Sequence, residues 1–156
     1  MKKYNAIQNT ISDLLKQSKV NWSDVLSEII SSYSCSTGTI HFLEKNTSLL
    51  KIQAHQGIPE FLLPKLSIIP IGKGMAGIAA ERREAVEMCN LQTDTSGVAR
   101  PAAKETKVEG SVAVPMLRNG ELYGVFGIAK PVSYDFKKEE IDSLLKLGEI
   151  ISRFIN

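Results

Sequence analysis

Three glycines at the spacing G-x-G-x-x-G are the first residues in this sequence that could do chemistry. Gly72, Gly74 and Gly77 lie in the stretch IIPIGKGMAGIAAERREAV, after an apolar run and before an Ala-rich segment. In dinucleotide-binding folds this spacing lets the backbone approach a pyrophosphate at the start of a helix. Such a site also needs a long following helix and a parallel strand that ends in an acidic residue.

The residues around the glycines do not meet these requirements. Pro70 interrupts the apolar run, and the helix has to end near Arg82 because AVEMC is already typical of the next strand. That strand closes on Cys89 and Asn90 instead of a carboxylate. We therefore interpret the glycines as a tight turn and a close packing face, with Gly77 towards the sheet. Binding of a small anion by the backbone amides at this helix start stays an alternative.

Two cysteines and two histidines are the other residues that could bind a metal or act in catalysis. Cys35 and Cys89 have neither C-x-x-C spacing nor a histidine at metal-ligand spacing, so we interpret them as small buried hydrophobic residues. A redox role for them stays open. His41 and His55 share one face of a predicted hairpin as diagonal neighbours about 7 to 8 Å apart. A two-histidine metal or haem site is an alternative, but no third ligand is visible and we predict no metal.

Composition and charge narrow the class of protein. The 156 residues are enough for one domain with its own core. They are 43% hydrophobic and 23% charged, with no apolar run long enough for a membrane span or a signal peptide, so we expect a cytoplasmic protein without a membrane partner. The net charge is only +2 and no basic cluster alternates with aromatic residues, which argues against binding to nucleic acid.

Apolar residues at helical spacing predict two helices at the start of the chain and one at its end. The positions are Ile7, Ile11, Leu14 and Leu15, then Val25, Leu26, Ile29 and Ile30. Ser23 is the predicted N-cap of the second helix, and Asp135 that of the last. The last helix has more apolar surface than one sheet face needs. It is therefore expected to pack against the N-terminal helices or against a second copy of the chain.

Two antiparallel hairpins are predicted between these helices. TIHFLEK and LLKIQAH alternate in period two, which sets Ile40 opposite Ala54 and Phe42 opposite Ile52. In GSVAVPMLRNGELYGVFGIAK, a type I′ turn at Asn119-Gly120 sets the register. The predicted pairs are Arg118 with Glu121, Leu117 with Leu122, Met116 with Tyr123, Val114 with Val125 and Ala113 with Phe126. Both faces are apolar, as in strands covered on both sides, and Pro115 indicates a bulge or a local edge.

These parts, taken in order, resemble a GAF domain. The matching motifs are I-P-x-G-x-G-x-x-G-x-A-A, V-P-x-x-x-N-G-x-x-x-G-V and F-x-x-E-E-I-x-x-L, and the resemblance runs from about Trp22 to the C-terminus. It implies one α+β domain over residues 1–156, with a central antiparallel β-sheet, N- and C-terminal helices on one face and a loop-covered pocket on the other. Residues 1–21 would be a helical extension and 90–110 a lid loop. GAF domains commonly sense small molecules and dimerise through their terminal helices.

The resemblance includes an enzyme, free methionine-(R)-sulfoxide reductase. Its chemistry needs a nucleophilic thiolate and a second cysteine that resolves the intermediate. Met75 stands where the cysteine of the glycine run is expected, and the range 93–109 contains no cysteine for the lid. Ser111, Gly127 and Ala129 replace the carboxylates that would hold the substrate amine. The resemblance therefore implies a protein that is not an enzyme of this kind and has no catalytic residues.

Other GAF chemistries match this chain only in part. Lys130, Phe136 and Glu140 stand at places of the cyclic-nucleotide signature, but Ala129 replaces its Asn and Ile141 part of its Asp-Glu pair. The simpler interpretation of Phe136 and Glu140 is a helix start with acidic residues near the positive end of its dipole. No cysteine is placed for a covalent bilin, and the sequence identifies no cofactor.

The predicted ligand site lies under the polar segment from Asn90 to Gly110, since a segment of about 20 such residues is typical of a functional lid or of a solvated loop. The predicted ligand-binding residues are Gly74, Met75, Ile78, Asp94, Arg100, Glu109, Ala113, Phe126 and Ile128. We expect a non-catalytic sensory or regulatory module that binds a small-molecule ligand and signals through its terminal helices as a homodimer. The alternatives are a dimerisation scaffold without a ligand and a degenerate relative of the reductase.

Overall fold

The centre of the fold is a curled sheet of six antiparallel strands. The computed structural model describes residues 2–156, with side chains from Tyr4 onward. Its helices are α1 (Lys2–Leu15), α2 (Trp22–Ser32), α3 (Leu63–Leu66), α4 (Gly74–Arg82), α5 (Pro101–Lys104) and α6 (Lys138–Ser152). Its strands are β1 (Thr37–Glu44), β2 (Leu49–Gln56), β3 (Ile68–Pro70), β4 (Val86–Met88), β5 (Ser111–Arg118) and β6 (Glu121–Ala129), in the order β3-β2-β1-β6-β5-β4. The predicted α+β fold with a central antiparallel sheet is confirmed.

The terminal helices α1, α2 and α6 form a layer on one face of the sheet. Their fully buried side chains include Ile11, Val25, Ile29, Leu144 and Leu147, which lie in one core with the sheet. α1 packs on both α2 and α6 and covers part of the apolar surface of α6. Among residues 2–156, no helix is both long enough and apolar enough to cross a lipid bilayer.

Two predicted helix caps are wrong. The N-cap of α2 is Asn21, whose Oδ1 accepts a hydrogen bond from the Asp24 amide at 3.1 Å, and this places Ser23 inside the first turn. α6 begins at Lys138 instead of next to Asp135. The chain stays outside the helix while Phe136 enters the core, and Glu140 Oε1 then accepts the Lys137 N–H at 2.9 Å.

A bulge at Tyr123 changes the register of the hairpin formed by β5 and β6. The pairs Arg118 with Glu121 and Leu117 with Leu122 are as predicted, but Met116 lies opposite Gly124 and every later pair is displaced by one residue. The actual pairs are Pro115 with Val125, Val114 with Phe126 and Ala113 with Gly127. Because a shift of one residue exchanges the faces of a strand, Phe126 turns to the helical layer and Gly127 to the opposite face.

The other hairpin also contains an irregularity, between Ile40 and His41. Ile40 lies opposite Ala54 as predicted, whereas Phe42 lies opposite Lys51 and not Ile52. Pro115 lies at a local edge, because β4 pairs with β5 only over Ser111–Ala113. A local edge was one of the two alternatives predicted for this proline.

The glycine run forms the predicted turn and packing face. Gly72 and Gly74 have φ angles of +90° and +69°, a conformation that side chains disfavour. A Cβ atom on Gly77 would lie 2.5 Å from the carbonyl oxygen of Pro70, so only glycine lets α4 approach β3 this closely. The chain reverses and enters α4 within a few residues.

Candidate functional site

A cavity of about 480 Å³ lies on the face of the sheet opposite the terminal helices. Its floor is formed by β1, β5 and β6, and its walls by the start of α4, the end of α3 and the segment 90–110. This volume is within the range of roughly 300 to 1,000 Å³ that small-molecule sites occupy. The structure thus has an open-mouthed cavity where the resemblance places a pocket.

Small residues make the floor deep. Ala113, Gly127 and Ala129 lie side by side on β5 and β6 and line the cavity. A Cβ atom added to Gly127 would have only one neighbour within 4 Å, the carbonyl oxygen of Val112 at 3.6 Å. A larger side chain at this position would therefore extend into the cavity.

Met75 and Ser111 contact each other across the cavity wall. Ser111 Oγ donates a hydrogen bond to Met75 Sδ at 3.3 Å, and both residues line the cavity. They are the positions where the resemblance expects a nucleophilic cysteine and a carboxylate. The structure brings these positions together, but a thioether and a hydroxyl occupy them.

The mouth of the cavity is cationic. Lys65, Lys73 and Arg100 line it together with one acidic residue, Glu105, which lies 3.9 Å from Lys65 Nζ. The aliphatic stem of Arg100 lies over Gly74, where an added Cβ would be 3.1 Å from Arg100 Cδ. Within residues 4–156, the side chains of Lys73 and Arg100 have no ion-pair or hydrogen-bond partner.

The segment 90–110 is a folded lid. It contains a 3-10 turn at Leu91–Thr93 and the short helix α5, and three of its apolar side chains are buried with Ala129: Leu91, Ala99 and Val108. The Asp94 carboxylate accepts hydrogen bonds from Ser96 Oγ at 2.6 Å, Ser96 N at 3.1 Å and Ala99 N at 3.1 Å. These hydrogen bonds lower the pKa of Asp94 and fix the turn that leads to Arg100.

The two histidines lie in different environments. His41 is only 2% exposed, and its Nε2–H donates to the Leu66 carbonyl at 2.7 Å; burial lowers the pKa of this imidazole. His55 is exposed. Across the part of the chain whose side chains are described, no three His, Cys, Asp or Glu residues are grouped to hold a metal ion.

Neither cysteine lines the cavity. Cys35 is half-buried, and burial raises the pKa of its thiol to about 11, so at neutral pH it is a thiol and not a thiolate nucleophile. Cys89 is exposed, which contradicts its interpretation as a buried hydrophobic residue. It directly follows the edge strand β4, and desolvation together with the adjacent Asp135 raises its pKa as well.

A buried lysine joins the floor of the cavity to the helical layer. Lys130 follows Ala129, and its Nζ donates to the carbonyl oxygens of Tyr33 at 2.8 Å and Ser34 at 3.2 Å. Its own carbonyl accepts the Glu109 N–H at 2.9 Å, and its N–H donates to Gly110 O at 2.7 Å. The end of the lid, the end of β6 and the end of α2 therefore meet at one residue.

The sequence model of the GAF domain family matches residues 23–156. The chain belongs to the GAF domain family. No curated protein is significantly similar to it in sequence. Solved GAF structures share its fold at low identity. One is the GAF domain from a phosphoenolpyruvate-protein phosphotransferase of Coxiella burnetii, with a TM-score of 0.81, 20% identity, and coverage of 99% of this chain and 93% of that one.

Two further neighbours show the range of GAF proteins that share this fold. Free methionine-R-sulfoxide reductase from Neisseria meningitidis, solved in complex with its substrate, has a TM-score of 0.78 at 15% identity, with coverage of 97% of this chain and 87% of that one. The nlh2 GAF domain of A. aeolicus, in an inactive state, has a TM-score of 0.76 at 19% identity, covering 97% and 94%. At these identities the similarity establishes the fold of this GAF domain and not its ligand.

Five of the nine predicted ligand-binding residues line the cavity of this GAF domain: Gly74, Met75, Arg100, Ala113 and Ile128. Ile78, Asp94, Glu109 and Phe126 are not among the lining residues. Phe126 was placed on the wrong face because the Tyr123 bulge was not visible in the sequence. Glu109 accepts hydrogen bonds from Asn90 and Ser133 outside the cavity, while Asp94 shapes the lid from within.

Sequence reasoning missed two cationic residues of the mouth, Lys65 and Lys73. Lys73 stands between two glycines of the G-x-G-x-x-G run, so its position at the start of α4 was a usable signal. Lys65 lies in α3, which the hydrophobic pattern did not reveal. Lys130, Phe136 and Glu140, the partial match to the cyclic-nucleotide signature, are not among the cavity-lining residues. Glu140 instead accepts from Lys137 N and from the Tyr134 hydroxyl, which confirms its interpretation as part of a helix start.

Proposed function

We propose that this GAF domain is a non-catalytic sensory module that binds a small molecule in its cavity and transmits occupancy to its terminal helices. The observation that carries the proposal is the 480 Å³ cavity itself, which has a floor of small residues and a folded lid. The floor strands also form the surface on which α2 and α6 pack. A ligand that moves the floor or the lid therefore acts directly on elements that touch these helices.

The chemistry of the lining supports a binding role without catalysis. A thioether and a hydroxyl are in contact where the reductase resemblance expects a nucleophile and a carboxylate. The two thiols of the chain lie away from the cavity, and their pKa values are raised. An assay for loss of free methionine-(R)-sulfoxide with excess dithiol tests this part; turnover that disappears in Cys35→Ala or Cys89→Ala would overturn it.

The connection from the cavity to the helices is proposed to run through Lys130. This residue links the lid end at Glu109 and Gly110 to the carbonyl end of α2. Tyr33, the C-cap of α2, hydrogen-bonds to Ser143 of α6 through its hydroxyl. Burial raises the pKa of Tyr33 to about 12, so the phenol stays protonated as this hydrogen bond requires. Both terminal helices that touch the sheet are thus tied to the lid by hydrogen bonds.

Ligand binding is tested by filling the cavity. Freshly purified protein is examined by native mass spectrometry, and a library of metabolites is screened by thermal shift against wild type and Gly127→Val. We expect compounds that stabilise wild type but not the variant, because the valine side chain occupies the floor. Circular dichroism verifies that the variant is folded. If no compound separates the two proteins and no bound mass is seen, the proposal is wrong.

We further propose that the domain forms a homodimer through its terminal helices. Phe154 at the end of α6 is 37% exposed, and Ile150 on the same helix is only half-buried. Light scattering of wild type and Phe154→Glu tests this: a dimer that dissociates in the variant supports it, and a monomeric wild type contradicts it. A dimer that never binds a ligand would favour the alternative function of a dimerisation scaffold.

A further inference from the structure

We propose that the ligand of this cavity is an organic anion with an apolar body and no ammonium group. The inference rests on the proposed function, since it specifies the class of molecule that the cavity takes. The anionic head, a carboxylate or a phosphate monoester, would lie at the mouth beside Arg100 and Lys73, and the apolar body over the floor.

The charge at the mouth is the first argument. Three cationic side chains and one carboxylate line the cavity, and the carboxylate of Glu105 is already near Lys65. Arg100 and Lys73 have no partner among residues 4–156, although both are part of the lining. Both side chains are exposed and free to bind a ligand. A guanidinium presents paired N–H groups that match carboxylate or phosphate oxygens, so an anion at the mouth would form charge-assisted hydrogen bonds with them.

Contacts on two sides also fix where the Arg100 side chain lies. Its stem lies against Gly74 in the glycine turn, where a side chain would come within about 3.1 Å of Cδ. On the lid side, the Asp94 turn and the buried Ala99 fix the backbone just before it. The stem of Arg100 therefore runs from the lid to the glycine turn at the wall of the cavity.

The floor provides the second argument, against an ammonium group. Ala113, Gly127 and Ala129 present no acceptor side chain, and the side chain of Ser111 beside them is an uncharged hydroxyl. Glu105 at the mouth is the one acidic side chain among the described lining residues. An ammonium over this floor would meet no carboxylate, and an unpaired buried charge is strongly disfavoured. At the mouth, an ammonium would meet three cationic side chains and the single carboxylate of Glu105. The same floor accommodates an aliphatic or aromatic body.

Matched eight-carbon probes test the inference by isothermal titration calorimetry. Octanoate and octyl phosphate carry an anionic head, octan-1-ol a neutral one, octylamine a cationic one, and 2-aminooctanoate both a carboxylate and an ammonium. Each is titrated into wild type, Arg100→Gln, Gly127→Val and the control Arg82→Gln. Arg82 is an exposed arginine of α4 that does not line the cavity.

We expect octanoate or octyl phosphate to bind wild type at least about tenfold more tightly than the other three probes, as one charge-assisted hydrogen-bonded pair allows. Arg100→Gln should remove this preference, Gly127→Val should abolish binding, and Arg82→Gln should change neither. Comparison of the two anionic probes then identifies the preferred head group.

Four results would overturn the inference: octan-1-ol binds as tightly as the anions, an ammonium-bearing probe does so, Arg100→Gln leaves the preference unchanged, or no probe binds. The proposed function fails separately. If the metabolite screen finds a neutral or cationic ligand that stabilises wild type but not Gly127→Val, the sensory proposal stands and the anion inference is wrong. If no ligand of any charge is sensitive to Gly127→Val, both are wrong.

Discussion

Lys130 Nζ donates a hydrogen bond of 2.8 Å to the carbonyl oxygen of Tyr33. This bond connects the residue that directly follows the floor strand β6 to the end of α2. Lys130 is only 8% exposed, and its Nζ also lies 4.3 Å from the centre of the Tyr134 ring. A buried lysine is tolerated here because two carbonyls and an aromatic face surround its charge.

Replacing Lys130 with Met should destabilise the domain by about 1 to 3 kcal/mol, because the carbonyl groups of Tyr33 and Ser34 lose their donor while the apolar stem is kept. Urea denaturation at neutral pH measures this effect. The matched control is Lys16→Met at the exposed residue that directly follows α1, for which we expect a change within about 0.5 kcal/mol. Equal effects of the two substitutions would show that the Lys130 hydrogen bonds do not hold the layers together.

Gly124 and Gly127 lie on opposite faces of β6 and should respond oppositely to alanine. A Cβ on Gly124 would collide with the carbonyl oxygen of His41, so Gly124→Ala should cost about 1 to 3 kcal/mol of overpacking. Gly127→Ala points into the cavity and should be neutral, or stabilising by up to about 1 kcal/mol because the unfolded chain loses freedom. Urea denaturation of both variants compares them, and the reverse order would contradict the register set by the Tyr123 bulge.

This register also shows what the sequence could and could not predict. The Asn119-Gly120 turn and its first two pairs follow from turn chemistry. Beyond them, both faces of β5 and β6 are apolar, so hydrophobic alternation cannot reveal a bulge. Tyr123 is accommodated as the extra residue, with the Arg118 guanidinium 4.1 Å from its ring centre, a tertiary contact that no local pattern contains.

The terminal helices, α4, both hairpins and the glycine turn were predictable because their signals are local. The lid was not, since Leu91, Ala99 and Val108 are dispersed in a polar segment and become a cluster only against Ala129. The residues of the site were predictable only in part, because they too come together only in the folded chain. Phe126, which was predicted to line the cavity, and Lys65, which was missed, are the two clearest errors.

His41 should make the stability of the domain depend on pH. Burial holds its pKa below the ordinary value of 6.5, so the unfolded state takes up the proton first as pH falls. Stability is therefore full above 6.5 and is lost below it, with a slope of at most about 1.4 kcal/mol per pH unit. Urea denaturation at about pH 7.5 and 5.5 should show this loss in wild type and less of it in His41→Gln. His55→Gln, on the exposed side chain, should keep the full loss; if His41→Gln does too, His41 is not its source.

Asp94 should control the order of the lid without controlling the stability of the domain. In Asp94→Ala the amides of Ser96 and Ala99 lose their acceptor, so hydrogen exchange of residues 95–100 should accelerate while the thermal midpoint stays unchanged. The matched control is Thr95→Ala, in the same turn and exposed. Because these hydrogen bonds lower the pKa of Asp94 below 3.8, the turn should persist in wild type until the pH falls through that range. Unchanged exchange in Asp94→Ala would mean that the buried apolar residues alone hold the lid, and Arg100 would then keep its place without the turn.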